Sequence, residues 1–277
     1  MEQQVQVNGK NCYYWEFNPD QPKTVIFIHG FRGTHHGLLK IAEQLPEYRL
    51  IVPDLPGFGA SVALPPDHTI ASYTEWLHEF RALVDSSSSS CIVGHSFGTI
   101  VTSHYAASYP GEVAKLVLIN PIGSPALESE QRALTQLAIL YYWLGSKLPA
   151  RAARAWIGMR PATKAMSIIM RTTKDPDLRR YIDEQHYAHF STFASPAQLA
   201  EAFNISVRHD VGQVAEQLHT PVLLIAGEKD PITSLAKQQR LHARVAGATL
   251  VVIKGVGHLT HYEAPDKVAM AIREFIQ

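Results

Sequence analysis

The chain has 277 residues, of which 46% are apolar, and its 25 basic residues balance 25 acidic ones. That length allows one or two domains around a large hydrophobic core, and the composition excludes general disorder. A formal net charge of zero lacks the electrostatic signature of a protein that binds nucleic acid or an anionic membrane, so we expect neither partner. The expected partner is a small-molecule substrate, and the expected assembly is a monomer or a homodimer.

The two cysteines, Cys12 and Cys91, are too few for a disulfide framework. They predict buried thiols in a reducing compartment. Residues Met1 to Val7 lack the cationic and apolar regions of a signal peptide, and no apolar run reaches the length of a membrane span. These features predict a cytoplasmic location.

Strand-like and helix-like segments alternate along most of the chain. A hairpin is predicted first, with strands at 3–7 and 11–17 joined by Asn8-Gly9, a pair that favours a type I′ turn. Short apolar runs then predict strands buried on both faces at 24–29, 49–53, 91–94, 114–120, 221–226 and 248–253. Apolar residues at helical spacing predict helices at 36–45, 70–84, 97–109, 235–245 and 265–275. The alternation predicts an α/β fold whose mostly parallel central sheet is flanked by helices.

One long segment interrupts this alternation. From Gly123 to Arg208 no stretch has the pattern of a strand, and the segment is helix-like with prolines as punctuation. An insertion of this length in a compact sheet is usually functional, such as a lid or cap. We therefore predict a core of residues 1–122 and 209–277 and a helical cap of residues 123–208. Residues 121–210 hold 11 basic and 8 acidic residues, so this region is slightly positive and the remainder slightly negative.

The strongest chemical signal is Gly94-His95-Ser96-Phe97-Gly98, which matches the pattern G-x-S-x-G. It follows a predicted strand and opens a predicted helix, which is the context of a nucleophile elbow. The glycines relieve crowding at a sharp turn, and the serine hydroxyl projects above the sheet near the helix N-terminus. Ser96 is therefore the candidate nucleophile.

A nucleophilic serine needs a base and a group that orients the base. His258 lies in a glycine-rich loop after the last predicted strand, at the same edge of the sheet as Ser96. His261 is the local rival, and we expect it at the surface or at a helix end. Asp230, after the strand at 221–226, is the candidate orienting acid, because the alternative position at the end of the strand 114–120 holds Asn120. The order Ser96, Asp230, His258 is that of hydrolases with this architecture.

An oxyanion hole completes such a site. One donor is the backbone N–H after the nucleophile, which is that of Phe97. The second is assigned to the backbone N–H of Phe31, in the loop His29-Gly30-Phe31-Arg32-Gly33 after the strand 24–29. We expect His29 itself to be buried and to organise this loop.

These motifs together resemble the α/β-hydrolase fold family, nearly from end to end of the chain. The resemblance is carried by His29-Gly30, by Asp54-Leu-Pro-Gly-Phe-Gly-Ala-Ser61, by the elbow at 94–98, by Gly227-Glu-Lys-Asp230 and by Gly257-His258 with Glu263 and Pro265. It implies a central sheet, a cap inserted after Asn120 and no cofactor. The serine at position 96 disfavours the epoxide hydrolases and haloalkane dehalogenases of the family, which use aspartate there.

The substrate is less well defined than the machinery. The aromatic residues Tyr141, Trp143 and Trp156, with Leu259 beside His258, are the predicted pocket. No H-E-x-x-H motif or cysteine pair supports a metal site, so none is expected.

The sequence predicts a serine hydrolase that cleaves a carboxylic ester of a small, largely apolar substrate through an acyl-enzyme. Two alternatives stay open. One is a carbon–carbon bond hydrolase acting on ring-fission dienones, although Leu259 stands where that branch typically has tryptophan. The other is a ligand receptor built on a hydrolase scaffold.

Overall fold

The computed structural model of this protein describes residues 1–64, 67–85, 87, 90–126 and 132–277. Within them, eight strands form one sheet: β1 (Glu2–Val7), β2 (Lys10–Phe17), β3 (Thr24–Ile28), β4 (Arg49–Pro53), β5 (Cys91–His95), β6 (Lys115–Ile119), β7 (Val222–Gly227) and β8 (Thr249–Ile253). Their order is β1-β2-β4-β3-β5-β6-β7-β8. The pairs β1–β2 and β2–β4 are antiparallel, and every other pair is parallel. The predicted fold class is confirmed.

The hairpin prediction is also confirmed. Asn8 and Gly9 connect β1 to β2, and their φ angles are 51° and 70°. Positive φ at both central residues is what a type I′ turn requires, and this turn matches the twist of the two strands. The Asn-Gly pair adopts such angles at low cost.

The helices follow the strands in chain order: α1 (Leu39–Ala42), α2 (Ile70–Val84), α3 (Phe97–Ser108), α4 (Arg132–Lys147), α5 (Ala150–Ile157), α6 (Arg160–Met170), α7 (Pro176–His189), α8 (Pro196–Arg208), α9 (Leu235–Arg244), α10 (Thr260–Glu263) and α11 (Pro265–Ile276). The helix predicted at 36–45 is wrong as one element, because a 3-10 turn at His35–Leu38 precedes the single turn of α1. A reason lies in Asp54, whose Oδ1 accepts hydrogen bonds from both the backbone N–H and the ring Nδ1 of His35. Asp54 lies outside the segment 36–45, and its hydrogen bonds to His35 determine how that segment begins.

Alternate side chains of the inner strands enter two separate apolar layers, as expected for strands covered on both faces. On β3, Ile26 and Ile28 pack with Trp76 and Ile100 of α2 and α3. Val25 and Phe27 pack on the opposite face, in a cluster that also contains Ile41, Val268 and Ile272 of α1 and α11. The carboxyl ends of β3, β5, β6 and β7 therefore meet along one edge, between two layers of helices.

Helices α4 to α8 occupy the chain between β6 and β7. In the described part of residues 123–208, the only β-bridge to the rest of the chain is an isolated one between Phe193 and Phe58. We call residues 132–208 the helical insertion. None of the helices in the described ranges is long and apolar enough to cross a membrane.

Candidate active site

Three side chains from three separate loops are joined by hydrogen bonds at the carboxyl edge of the sheet. His258 Nε2 lies 2.9 Å from Ser96 Oγ, and His258 Nδ1 lies 2.8 Å from Asp230 Oδ2. Since a carboxylate only accepts, Nδ1 carries the proton and Nε2 is left to accept from the serine hydroxyl. The structure thus brings together the nucleophile, base and acid proposed from the sequence, in the geometry that lets His258 take the proton of Ser96.

Ser96 sits at a sharp turn between β5 and α3, with φ 52° and ψ −115°. A residue other than glycine rarely adopts a positive φ, so this backbone is strained and is held by its surroundings. The flanking glycines show why. A Cβ at Gly98 would lie 2.3 Å from the carbonyl oxygen of Ile28, and one at Gly94 would lie 2.6 Å from the carbonyl oxygen of Gly98. Both glycines are needed for β3, β5 and α3 to approach this closely.

Asp230 is buried and fully hydrogen-bonded. Its Oδ1 accepts from the backbone N–H groups of Ile232 and Thr233, at 2.7 and 2.9 Å. Its Oδ2 accepts from Thr233 Oγ1 at 2.6 Å and from Asn120 Nδ2 at 2.7 Å, in addition to His258. Burial alone would raise the pKa of Asp230, but the interactions with His258 and Thr233 outweigh it and hold the pKa below its ordinary value. The acid therefore stays ionised and fixed in orientation.

Phe31 and Phe97 both line the cavity that contains Ser96, so the two residues proposed for the oxyanion hole border the same space. The loop that carries Phe31 runs close to the nucleophile, because a Cβ at Gly30 would lie 3.3 Å from the Cβ of Ser96. His29 is buried as expected, and its Nε2 accepts a hydrogen bond of 2.9 Å from the backbone N–H of Leu55. This contact fixes the loop against the chain that follows β4.

The cavity has a volume of about 270 Å³. Ser96 and His258 line it, and most of its surface is apolar, with Leu134, Met166 and Phe203 contributed by the helical insertion. Leu259, one of the four pocket residues proposed from the sequence, lines it. The cavity fits a small molecule with an apolar body.

The other three proposed pocket residues are not among the residues that line this cavity. Tyr141 and Trp156 pack on each other within the insertion, where the Tyr141 hydroxyl donates to the carbonyl oxygen of Trp156 and the indole N–H of Trp156 donates to that of Tyr141. Trp143 projects from α4 and is 53% exposed. The packing of α4 against α5 determines where Tyr141 and Trp156 lie, and the residue types alone do not predict that packing.

His261 lies at the end of a helix, in the single turn of α10, but it is buried, so the expectation of a surface position is wrong. Its ring is 4.2 Å from that of His95, and both line the cavity. Burial, with a smaller effect of the neighbouring histidines, lowers the pKa of His261 well below its ordinary value, and that of His95 to about 3. These rings are therefore neutral at pH 7. No group of three or more histidine, cysteine or acidic side chains is arranged to hold a metal ion among the residues described.

Two side chains join the helical insertion to the site loops. Arg32, next to Phe31, donates to the carbonyl oxygens of Phe190 and Ile157, at 2.8 and 3.2 Å. Glu263 accepts from the backbone N–H groups of Thr172 at 2.6 Å and of Gly257 at 3.1 Å, so one carboxylate holds both the insertion and the loop of His258. These hydrogen bonds hold the insertion against the loops that carry Phe31 and His258.

Sequence reasoning missed the roles of Asn120, Thr233, Arg32 and Glu263. Asn120 appeared only as a position without a carboxylate, yet it holds the acid. Glu263 appeared only as part of a motif. Asn120 and Arg32 have φ angles of 47° and 57°, and such strained positions in the segments that follow strands cannot be identified from one sequence. Their partners are more than 100 residues away along the chain.

Comparison with known proteins gives a consistent result. A family model described as alpha/beta hydrolase fold matches residues 23–265. The chain is 26% identical over 264 residues to the pimeloyl-[acyl-carrier protein] methyl ester esterase of Neisseria meningitidis, a match covering 94% of this chain and 95% of that protein. It is 24% identical over 278 residues to Lipase 1 of Psychrobacter immobilis, covering 97% of this chain and 81% of that protein.

Among solved structures, a thermophilic esterase from Thermogutta terrifontis superposes with a TM-score of 0.81. The superposition covers 100% of this chain and 98% of that chain, at 21% sequence identity. At this identity the similarity supports the fold.

Proposed function

The chain belongs to the α/β-hydrolase fold family, and we propose that it is a serine hydrolase that cleaves a carboxylic ester of a small, largely apolar substrate. The observation that carries this proposal is the hydrogen-bonded series from Ser96 Oγ through His258 to Asp230. The esterase and lipase named above as relatives support the choice of an ester as the scissile bond.

In the proposed mechanism, Ser96 Oγ attacks the ester carbonyl while His258 Nε2 accepts its proton. Asp230 stays ionised, holds the imidazole in the required tautomer and stabilises the imidazolium that forms. The carbonyl oxygen gains negative charge, which the backbone N–H groups of Phe31 and Phe97 stabilise. Loss of one such donor typically costs about 3–4 kcal/mol of transition-state stabilisation.

Collapse of the tetrahedral intermediate releases the alcohol, which takes its proton from His258. The acyl group remains on Ser96 Oγ. A water molecule activated by His258 then attacks the acyl carbonyl, and the acid leaves while Ser96 regains its proton. The apolar walls of the cavity bind the body of the substrate and exclude bulk water from these steps.

The decisive experiment compares Ser96→Ala with Ser103→Ala on p-nitrophenyl esters of increasing chain length. Ser103 is a buried serine of α3, the helix that follows Ser96, and its hydroxyl donates to the carbonyl oxygen of Ile100. Ser96→Ala should remove turnover and labelling by a fluorophosphonate, because both need the nucleophilic oxygen, whereas Ser103→Ala should keep both. Retained turnover in Ser96→Ala would contradict the proposal.

The same assay separates the other functions. Fluorophosphonate labelling of Ser96 with poor ester turnover, but hydrolysis of a ring-fission dienone, favours carbon–carbon bond cleavage. Tight binding of a small apolar ligand that is unaffected by Ser96→Ala, without turnover of any ester, favours a receptor. Turnover of short-chain esters that depends on Ser96 supports the esterase.

A cytoplasmic location is part of the proposal. It is supported by Cys12 and Cys91, which are both buried free thiols, as is typical of proteins in reducing compartments. Fractionation of cells that express the protein tests it, and recovery from an extracytoplasmic fraction would contradict it.

A further inference from the structure

Exposed apolar side chains are concentrated in the part of the helical insertion that runs from α4 to α6, on α4, on α6 and in the loops beside α5. Ten of the seventeen large apolar side chains that are exposed in the described part of the chain lie between residues 134 and 169. On α4, Leu137, Leu140 and Leu144 recur at intervals of three and four residues, so they share one side of the helix, whereas Tyr142 and Gly145 are buried on another side. Leu137 is 68% exposed and Leu140 is 50% exposed. Clusters of this kind mark interaction sites.

The charge of the same segment is entirely positive. Residues 132–170 contain six basic residues and no acidic one. Lys164 is paired with Asp183, but the other five (Arg132, Lys147, Arg151, Arg154 and Arg160) have no carboxylate partner among the residues that the structure describes. The neutral net charge of the whole chain therefore hides a local excess of positive charge.

The apolar surface reaches the mouth of the cavity. Leu134 of α4 and Ile169 of α6 are both exposed, at 55% and 41%, and both also line the cavity that contains Ser96. Leu134 and Ile169 thus belong both to the exposed apolar side chains and to the lining of the cavity.

From these observations we propose that the surface formed by α4, α5 and α6 docks on an anionic phospholipid bilayer. Leucine, isoleucine and tryptophan side chains enter the interface of the bilayer, and the basic side chains contact the lipid headgroups, as in helices that lie in the plane of a membrane. A second copy of the chain fits less well, because a symmetric contact would place two basic surfaces without acidic residues against each other. This inference replaces the expectation, drawn from net charge alone, that no membrane is a partner.

The docking does not depend on the proposed reaction, so it is tested with vesicles and without a substrate. The protein is sedimented with vesicles of phosphatidylcholine alone and of phosphatidylcholine mixed with phosphatidylglycerol. We expect binding to the mixed vesicles, weaker binding to phosphatidylcholine, and a further loss as salt is raised. Ser96→Ala should bind the vesicles like the wild type, which separates failure of docking from failure of the proposed function.

Paired variants locate the surface. Leu137→Asp/Leu140→Asp should weaken binding to the mixed vesicles at least about tenfold. The reason is that two leucine side chains that enter the bilayer are replaced by carboxylates, which the anionic headgroups repel. The matched control is Leu83→Asp/Met270→Asp, since Leu83 and Met270 are 56% and 52% exposed on α2 and α11. It should bind like the wild type. All four substitutions should leave turnover of a soluble short-chain ester unchanged, which shows that the variants are folded.

Trp143 gives a spectroscopic signal on the same surface. Binding should shift tryptophan emission to shorter wavelength, and Trp143→Phe should remove most of that shift. The proposal is overturned if the wild type does not bind the mixed vesicles, or if the two paired variants bind alike. A third outcome also overturns it. In that outcome the protein does not bind vesicles but sediments as a dimer, or as a complex with an acidic protein, and Leu137→Asp/Leu140→Asp dissociates that assembly.

Discussion

Asn120 donates a hydrogen bond of 2.7 Å from Nδ2 to Oδ2 of Asp230, and this is the same carboxylate oxygen that accepts from His258. Thr260 in turn donates from Oγ1 to Asn120 Oδ1 over 2.5 Å. The oxygen and the nitrogen of the amide are therefore both hydrogen-bonded. Asn120 directly follows β6, the position at which the orienting carboxylate was considered as an alternative to Asp230. Asn120 is a positioning residue for the acid.

The first prediction exchanges the two side chains. Asp230→Asn should reduce kcat by roughly 10⁴-fold, because the imidazole loses its tautomer and its counter-charge. The double variant Asp230→Asn/Asn120→Asp places a carboxylate at the neighbouring position and should recover part of that loss, measured as kcat on a p-nitrophenyl ester. Asn120→Asp alone should be impaired at neutral pH, because two adjacent carboxylates retain a shared proton. No recovery in the double variant would show that the carboxylate must be at position 230, in the loop after β7.

The second prediction concerns Arg32, whose buried guanidinium donates to acceptors in the insertion, including the Tyr142 hydroxyl. Arg32→Ala should lower the free energy of unfolding by about 2–4 kcal/mol, since several buried acceptors lose their donor. It should also reduce kcat, because Arg32 adjoins Phe31. The measurement is urea unfolding with parallel kinetics. Arg151→Ala, at an exposed position of α5, is the control and should change the unfolding free energy by less than about 0.5 kcal/mol.

The third prediction is a loss of stability in mild acid. Burial lowers the pKa of His95 and of His186 to about 3, and that of His68 to about 4. In the unfolded chain these groups titrate near 6.5, so the unfolded state binds protons first as the pH falls. Their contribution to stability is complete above pH ~6.5 and is lost progressively toward pH ~3, at up to about 1.4 kcal/mol per pH unit for each histidine.

Urea unfolding between pH ~7 and ~5 measures this slope. His186→Leu should reduce the slope of unfolding free energy against pH by the equivalent of about one bound proton, because a leucine side chain cannot bind a proton in the unfolded state. A free energy of unfolding that stays constant over this range would contradict the interpretation.

The fourth prediction concerns the thiols. Burial raises the pKa of Cys12 and of Cys91 to about 12. Because the thiolate is the reactive form, neither cysteine should react with a thiol reagent such as DTNB in the native protein at pH 8. Both should react in denaturant. Stoichiometric labelling of the native protein would show that one of the two sites opens to solvent.

Local patterns account for what could be predicted from the sequence. Each inner strand is a run of β-branched and aliphatic residues, and Asn8-Gly9 defines its own turn, so neither depends on distant contacts. The residues Ser96, Asp230 and His258 were identifiable because each follows a predicted strand at one edge of the sheet. The segment at 36–45 was mispredicted because Asp54, which lies outside it, anchors its first turn.

The sequence by itself determined the fold class, the order of the strands and helices along the chain and the three residues that we propose for catalysis. Only the tertiary structure decided that Asn120 holds Asp230, that His261 is buried beside His95, and that Tyr141 and Trp156 pack on each other and are not among the residues that line the cavity. It also showed that exposed apolar side chains are concentrated between residues 134 and 169, in a segment whose charged residues are all basic. The physical reason is that periodicity and turn chemistry act over a few residues, whereas burial and hydrogen bonding depend on which distant segments the fold brings into contact.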